Sequence, residues 1–106
     1  MNKSLLYFAE DETAADTGVA LAADSFLAME LVDANTVILK FKATNNTAAM
    51  TTAQFDFSGK FKDACRAIAG ALNSNTMTVV ADEANGKYLS YNGGTFSGVV
   101  TVDDVS

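Results

Sequence analysis

The chain contains no histidine. That excludes serine–histidine–aspartate and cysteine–histidine catalysis and imidazole metal ligands. It also removes the side chain that most often serves as a general base near neutral pH. There is no proline and no tryptophan, so the turns have to be built from glycine, asparagine and aspartate. The single cysteine, Cys65, rules out an internal disulfide. No apolar run approaches the roughly 18 residues of a membrane span. The apolar start, Leu5-Leu6-Tyr7-Phe8, meets Glu10 too soon to be the core of a signal peptide. The expectation is synthesis in a cytoplasm and no contact with a membrane.

What is present suffices for one domain over residues 1–106. At 106 residues and 49% apolar composition, such a chain buries roughly two-thirds of its unfolded surface and needs neither metal nor disulfide to fold. Charge is unevenly spread. Residues 1–39 hold seven acids against Lys3, a net of −6; residues 40–66 are net +3; residues 67–106 are net −3. The basic block consists of Lys40, Lys42, Lys60, Lys62 and Arg66. Such a pattern suits a solvated surface, or a basic middle that docks on the acidic ends of a neighbouring copy.

Periodicity predicts mostly strands. Leu5 to Phe8 and Val19 to Ala23 read as short ones, with an acidic loop from Glu10 to Asp16 between them. From Phe26 to Ala43 the alternation is strongest. A three-residue loop with Asn35 left-handed would pair Val32 with Thr36, Leu31 with Val37, Met29 with Leu39 and Leu27 with Phe41. Glu30 would then lie diagonal to Lys40. Thr44 to Thr52 reads as a loop, and Gln54 to Phe57 as a strand with both phenylalanines on one face. Ser58 is then a candidate helix N-cap. Over about residues 59–73 the period becomes helical, with Phe61, Cys65, Ile68 and Leu72 on one stripe and Lys62, Arg66, Gly70 and Asn73 opposite. The stripe is expected to pack on the sheet face that carries Leu27, Met29, Val37, Leu39 and Phe41. Further strands follow at Thr76–Ala81, around Tyr88–Tyr91 and at Phe96–Val102, joined through Asn85-Gly86 and Asn92-Gly93-Gly94 and ended by Asp103-Asp104.

No residue set qualifies as a catalytic, cofactor or metal site. The acids Glu10, Asp11, Glu12 and Asp16 match no calcium-loop spacing. The stretch around Glu83, Asn85 and Gly86 fails the EF-hand pattern at Ala81 and Asn92. Gly93, Gly94 and Gly98 lack dinucleotide spacing and read as a turn plus a bulge. Cys65, without a histidine, reads as a small buried hydrophobe. With no nucleophile–base pair to name, the chain is expected not to be an enzyme. Lys40, Lys42, Lys60, Lys62 and Arg66 remain the candidate interaction surface. The acidic whole argues against nucleic acid as its partner.

The segments Asn35-Thr36-Val37-Ile38-Leu39-Lys40-Phe41 and Phe61-Lys62-Asp63-Ala64-Cys65-Arg66-Ala67-Ile68-Ala69-Gly70-Ala71-Leu72 sit in a texture rich in alanine, threonine and asparagine. In this the chain resembles small uncharacterised proteins of marine bacteriophages. The resemblance implies a phage-encoded accessory or virion protein, made in the host cytoplasm, that partners itself or another phage protein. A second, fold-level similarity is to Sm-like small β-barrels, which would imply a binding module for RNA or other nucleic acid. Here the helix comes late, and Phe55-Asp56-Phe57-Ser58-Gly59 lacks the Sm signature. No RNA-binding residue therefore carries over. The expected fold is α+β: a strongly bent, mostly antiparallel sheet or partial barrel with one amphipathic helix. The expected role is structural or assembly.

Overall fold

Alternation builds the larger of two sheets. The computed structural model describes residues 3–10, 18–42 and 50–105. Among them are strands β1 (Leu5–Ala9), β2 (Val19–Ala22), β3 (Phe26–Asp33), β4 (Thr36–Lys42) and β5 (Met50–Phe57). The helix α1 (Phe61–Leu72) follows, then β6 (Met77–Asp82), β7 (Lys87–Tyr88), β8 (Ser90–Tyr91) and β9 (Gly94–Val105). The larger sheet is antiparallel, in the order β3-β4-β5-β9-β8, and curls into a half-barrel. The smaller has the order β2-β1-β6-β7, and within it β1 and β6 run parallel, a pairing that alternation alone does not foretell. The chain passes from one sheet to the other at Leu89. That residue donates its N–H to Val80 of β6 and accepts from Phe96 of β9.

The β3–β4 hairpin keeps the expected register at its centre and loses it at both ends. Met29 pairs with Leu39 and Leu31 with Val37, and Lys40 Nζ lies 2.9 Å from Glu30 Oε1. But Phe26, not Leu27, faces Phe41, and Asp33, not Val32, faces Thr36. Leu27 and Val32 are the extra residues of two bulges. The turn is accordingly Ala34-Asn35, two residues and not three. Asn35 is not left-handed; its N–H is held by Asp33 Oδ1 at 2.9 Å. Met50-Thr51-Thr52, expected as loop, opens β5 instead, and Thr51 and Thr52 are buried there. Threonine is β-branched and fits a pleated surface, so polarity was the wrong guide at these positions. Residues 44–49 and 11–16 of the two expected loops lie outside the described residues. Asp103 and Asp104 do not end the last strand; they pair with Thr52 and Thr51 in β9. The expected bulge is found at Gly98, whose φ of +79° suits glycine alone, opposite a register shift in β5.

The core lies between the inner sheet faces and α1. Rings run through it in contact: Phe26 on Phe41, Phe41 on Phe8, Phe8 on Phe55, Phe55 on Phe96, Phe96 on Tyr91, at centroid distances of 5.0–6.0 Å. Edge-to-face geometry recurs along this line, as ring quadrupoles favour. The helix buries Ala64, Ile68 and Ala71. Phe61 and Leu72 pack partly buried at the rim, while Cys65 is partly exposed and so not the buried hydrophobe expected. Its seat also differs. The helix lies against β1, β8 and β9 and shares the core with Val37, Leu39 and Phe41 of β4.

Ser58 does not cap α1. Lys60 occupies the N-cap with no side-chain hydrogen bond. Ser58 instead ties the approach to the helix onto β9. Its Oγ accepts the Thr95 N–H at 3.0 Å, its own N–H donates to the Thr95 carbonyl at 3.0 Å, and its carbonyl accepts the Tyr91 hydroxyl at 2.6 Å. Burial, and then the negative charge of Asp63, hold the Tyr91 phenol above its ordinary pKa. A phenol whose folded value is raised stabilises the fold fully below its ordinary value, about pH 10, and that contribution is lost as pH rises through the folded value. Tyr91→Phe should cost about 0.5–1.5 kcal/mol at neutral pH through the lost hydrogen bond. The stability difference between the two proteins should narrow above about pH 10. Urea melts across pH check this; a difference that stays constant into the alkaline range would refute it.

Candidate functional site

The structure divides the five candidate basic residues between two surfaces. On β4 the inward positions are Val37, Leu39 and Phe41, so Lys40 and Lys42 project from the outer face of the larger sheet. Lys40 stands between Ala28 of β3 and Thr52 of β5 and is held by Glu30. Lys42 is exposed at the far end of the strand, opposite Met50. It is six residues from Thr36, or roughly 20 Å at a strand's rise per residue. Lys60, Lys62 and Arg66 belong to the other end. Phe57 donates its N–H to the Asn35 carbonyl at 2.8 Å, which sets the start of α1 beside the β3–β4 turn. Lys62 and Arg66 lie one turn apart on the solvent side of the helix, with the core between them and the outer face of the sheet.

The electrostatics of the helix end are unfavourable by design of the sequence. Lys60 and Lys62 sit at an N-terminus, where the helix dipole disfavours cations, and Asp63 is the acid of the first turn. Arg66 Nη1 lies 3.8 Å from Asp63 Oδ1 in an exposed pair, an arrangement that contributes little to stability.

Of the carboxylates weighed for chemistry, Glu10 and Glu83 are described and have structural partners, as do Asp82 and Asp56; Asp11, Glu12 and Asp16 lie outside the described residues. Asp82 is buried and accepts the Asn85 N–H at 3.2 Å and the Asn85 Nδ2 at 3.0 Å, closing the turn before β7. Glu83 Oε1 accepts the Val100 N–H at 2.7 Å. Asp56 Oδ1 accepts the Thr36 hydroxyl at 3.1 Å. Glu10, the first of the acidic run, accepts the Val102 N–H in a long bond of 3.4 Å. Among the described residues, no three side chains of the histidine, cysteine, aspartate and glutamate kinds are grouped to hold a metal ion. Among the same residues, no helix is long and apolar enough to cross a membrane.

Sequence reasoning passed over the outer edge of β3. Among the described residues, this strand of eight residues ends the larger sheet and is paired only on its β4 side. Leu27, Leu31 and Val32 are exposed there at 50%, 49% and 50%. The two bulges turn Leu27 and Val32 out of the expected pattern, and Leu31 lies at the open rim. The absence of lysine and proline from Phe26–Asp33 was the available signal, because those residues commonly guard an edge. A search of protein-family models, of curated proteins and of solved structures finds nothing that matches this chain.

Proposed function

We propose that the chain is a non-enzymatic assembly protein, of the phage accessory or virion kind that its sequence resembles. It works by associating with copies of itself or with a second phage protein. The observation that supports this reading most is the edge of β3, unpaired among the described residues, with its three half-exposed aliphatic side chains. An edge strand presents unpaired N–H and C=O groups, and apolar neighbours favour covering them with another chain. The acidic, basic, acidic order of the charge blocks is compatible with contact between copies. Exposed ion pairs contribute little by themselves, so the edge and its apolar area supply the attraction and the charges its selectivity.

Light scattering behind a sizing column, at low and high salt, combined with a gel-shift assay on labelled oligo-U RNA, tests the reading. The expected result is a mass above that of the monomer and no RNA shift. A strictly monomeric protein that shifts the RNA at micromolar concentration would overturn it. The Sm-like nucleic-acid module would then take its place, with Lys62 and Arg66 as the first contacts to mutate.

A further inference from the structure

We infer that β3 pairs with β3 of a second copy, antiparallel across a two-fold axis at Met29, so that two five-stranded sheets become one continuous sheet. This rests on the assembly reading and names its interface. The argument is one of register. A two-fold axis perpendicular to the sheet keeps inner faces with inner faces only if paired residues have the same parity. Within the regular stretch between the bulges, Ala28 to Leu31, two such registers overlap the strand most, over three residues each. One centres on Glu30 and sets that carboxylate directly against its own copy, which is destabilising. The other centres on Met29 and sets no two acids directly opposite each other. In it Met29 faces Met29 and Ala28 faces Glu30, and Leu31 comes beside the bulged Leu27 of the second copy.

The Met29 register is also complementary in charge. In its own sheet Ala28 pairs with Lys40. Pairing across the axis extends that row, so that Lys40, Ala28 and Glu30 of the second copy stand side by side on the outer face. The methyl group of Ala28 leaves room for the lysine to reach over it. Two strand spacings are roughly 10 Å, a span that extended lysine and glutamate side chains cover together. Lys40 already holds its own Glu30 at 2.9 Å and would then lie between two carboxylates. Leu31 of each copy, half-exposed alone, comes against the bulged end of the other strand and loses exposure there. Bulges at Leu27 and Val32 confine regular pairing to the middle of the strand. The contact therefore falls at or below the low end of stable interfaces, about 1,200 Å², and the dimer should dissociate on dilution.

Sedimentation velocity from micromolar to millimolar protein tests this. The wild type should move from monomer to dimer across the series. Leu27→Lys combined with Leu31→Lys gathers four lysines around the paired stretch and should weaken the dimer about tenfold or more. Ala28→Glu, on the outer face, should weaken it too, because it opposes Glu30 of the second copy; it serves if the double variant does not fold. Val99→Lys changes a residue 69% exposed on β9 and should associate like the wild type. Circular dichroism establishes that each variant is folded. If the wild type associates and neither β3 variant weakens it, the β3 interface is wrong while the assembly reading stands. If the wild type stays monomeric throughout, self-assembly and its interface fall together.

Discussion

Phe55→Ala should remove about 3–5 kcal/mol of stability, the range for truncating a buried aromatic ring. Phe55 has no exposed surface. Its ring meets Phe96 edge-on at 5.0 Å and 85°, and Phe8 at 5.8 Å. These are contacts between three strands that are far apart in sequence, β5, β9 and β1, so no neighbouring segment can relax into the space. Both the transfer of the ring from water and the cavity term are lost. Domains of this size have about 5–15 kcal/mol in hand, so the variant should stay folded at room temperature with its urea midpoint sharply lowered. The slope of the transition should be unchanged. A loss below about 1 kcal/mol would mean that the ring is not where the sheets and helix converge.

Gly94→Ala and Gly59→Ala should each cost about 2–4 kcal/mol, from close backbone approach in one case and from approach plus conformation in the other. The chain crosses itself here. A methyl group on Gly94 would run into the Ser58 carbonyl group, with its carbon at 2.8 Å. A methyl group on Gly59 would lie 2.5 Å from the Gly93 carbonyl oxygen, on a backbone already at φ +83°. In both cases the obstacle is main chain, which cannot rotate aside as a side chain would. Gly70 supplies the control. It is exposed in α1 with nothing within 4 Å of a built methyl, so Gly70→Ala should stabilise by up to about 1 kcal/mol through helix propensity. The same chemical change thus carries opposite signs at two places. Urea melts that find Gly94→Ala within 0.5 kcal/mol of the wild type, a shift ordinary for a surface site (about ±0.5 kcal/mol), would refute the crossing.

The middle of the β3–β4 hairpin was legible because its alternation and its Glu30–Lys40 pair point one way. Its ends were not. A bulge is a response to the coiling of a whole sheet, and neither Leu27 nor Val32 differs in kind from the residues beside it. Helical spacing correctly marked the solvent side of α1, with Lys62, Arg66 and Gly70 outward. It carries no information on which strands lie beneath, and so the helix was assigned to the β3–β4 face when β1, β8 and β9 hold it. Ser58 has the right chemistry for an N-cap, but Thr95 competes for the same oxygen and wins it. The basic residues were visible as a block of sequence. Their separation depends on a turn and a strand length that only the fold supplies. The edge of β3, unpaired among the described residues, was the least visible of all, because an edge is defined by what does not arrive beside it.

The parallel pairing of β1 with β6 bears on how the molecule comes into being. One side of β1 is satisfied early, since β2 is its antiparallel partner only a short way down the chain. The other side must wait for residues 77–82. At a translation rate of about 5–20 residues per second, that wait is on the order of several seconds. During it Leu6 and Phe8, both fully buried at the end, have no floor to rest on. Nor does waiting at one end spare the other, because Phe55 needs both Phe8 from the first strand and Phe96 from the last. Strands β1 and β9, far apart along the chain, are thus joined in a single closing event, and a nascent chain stopped short of β9 is a chain without a finished core.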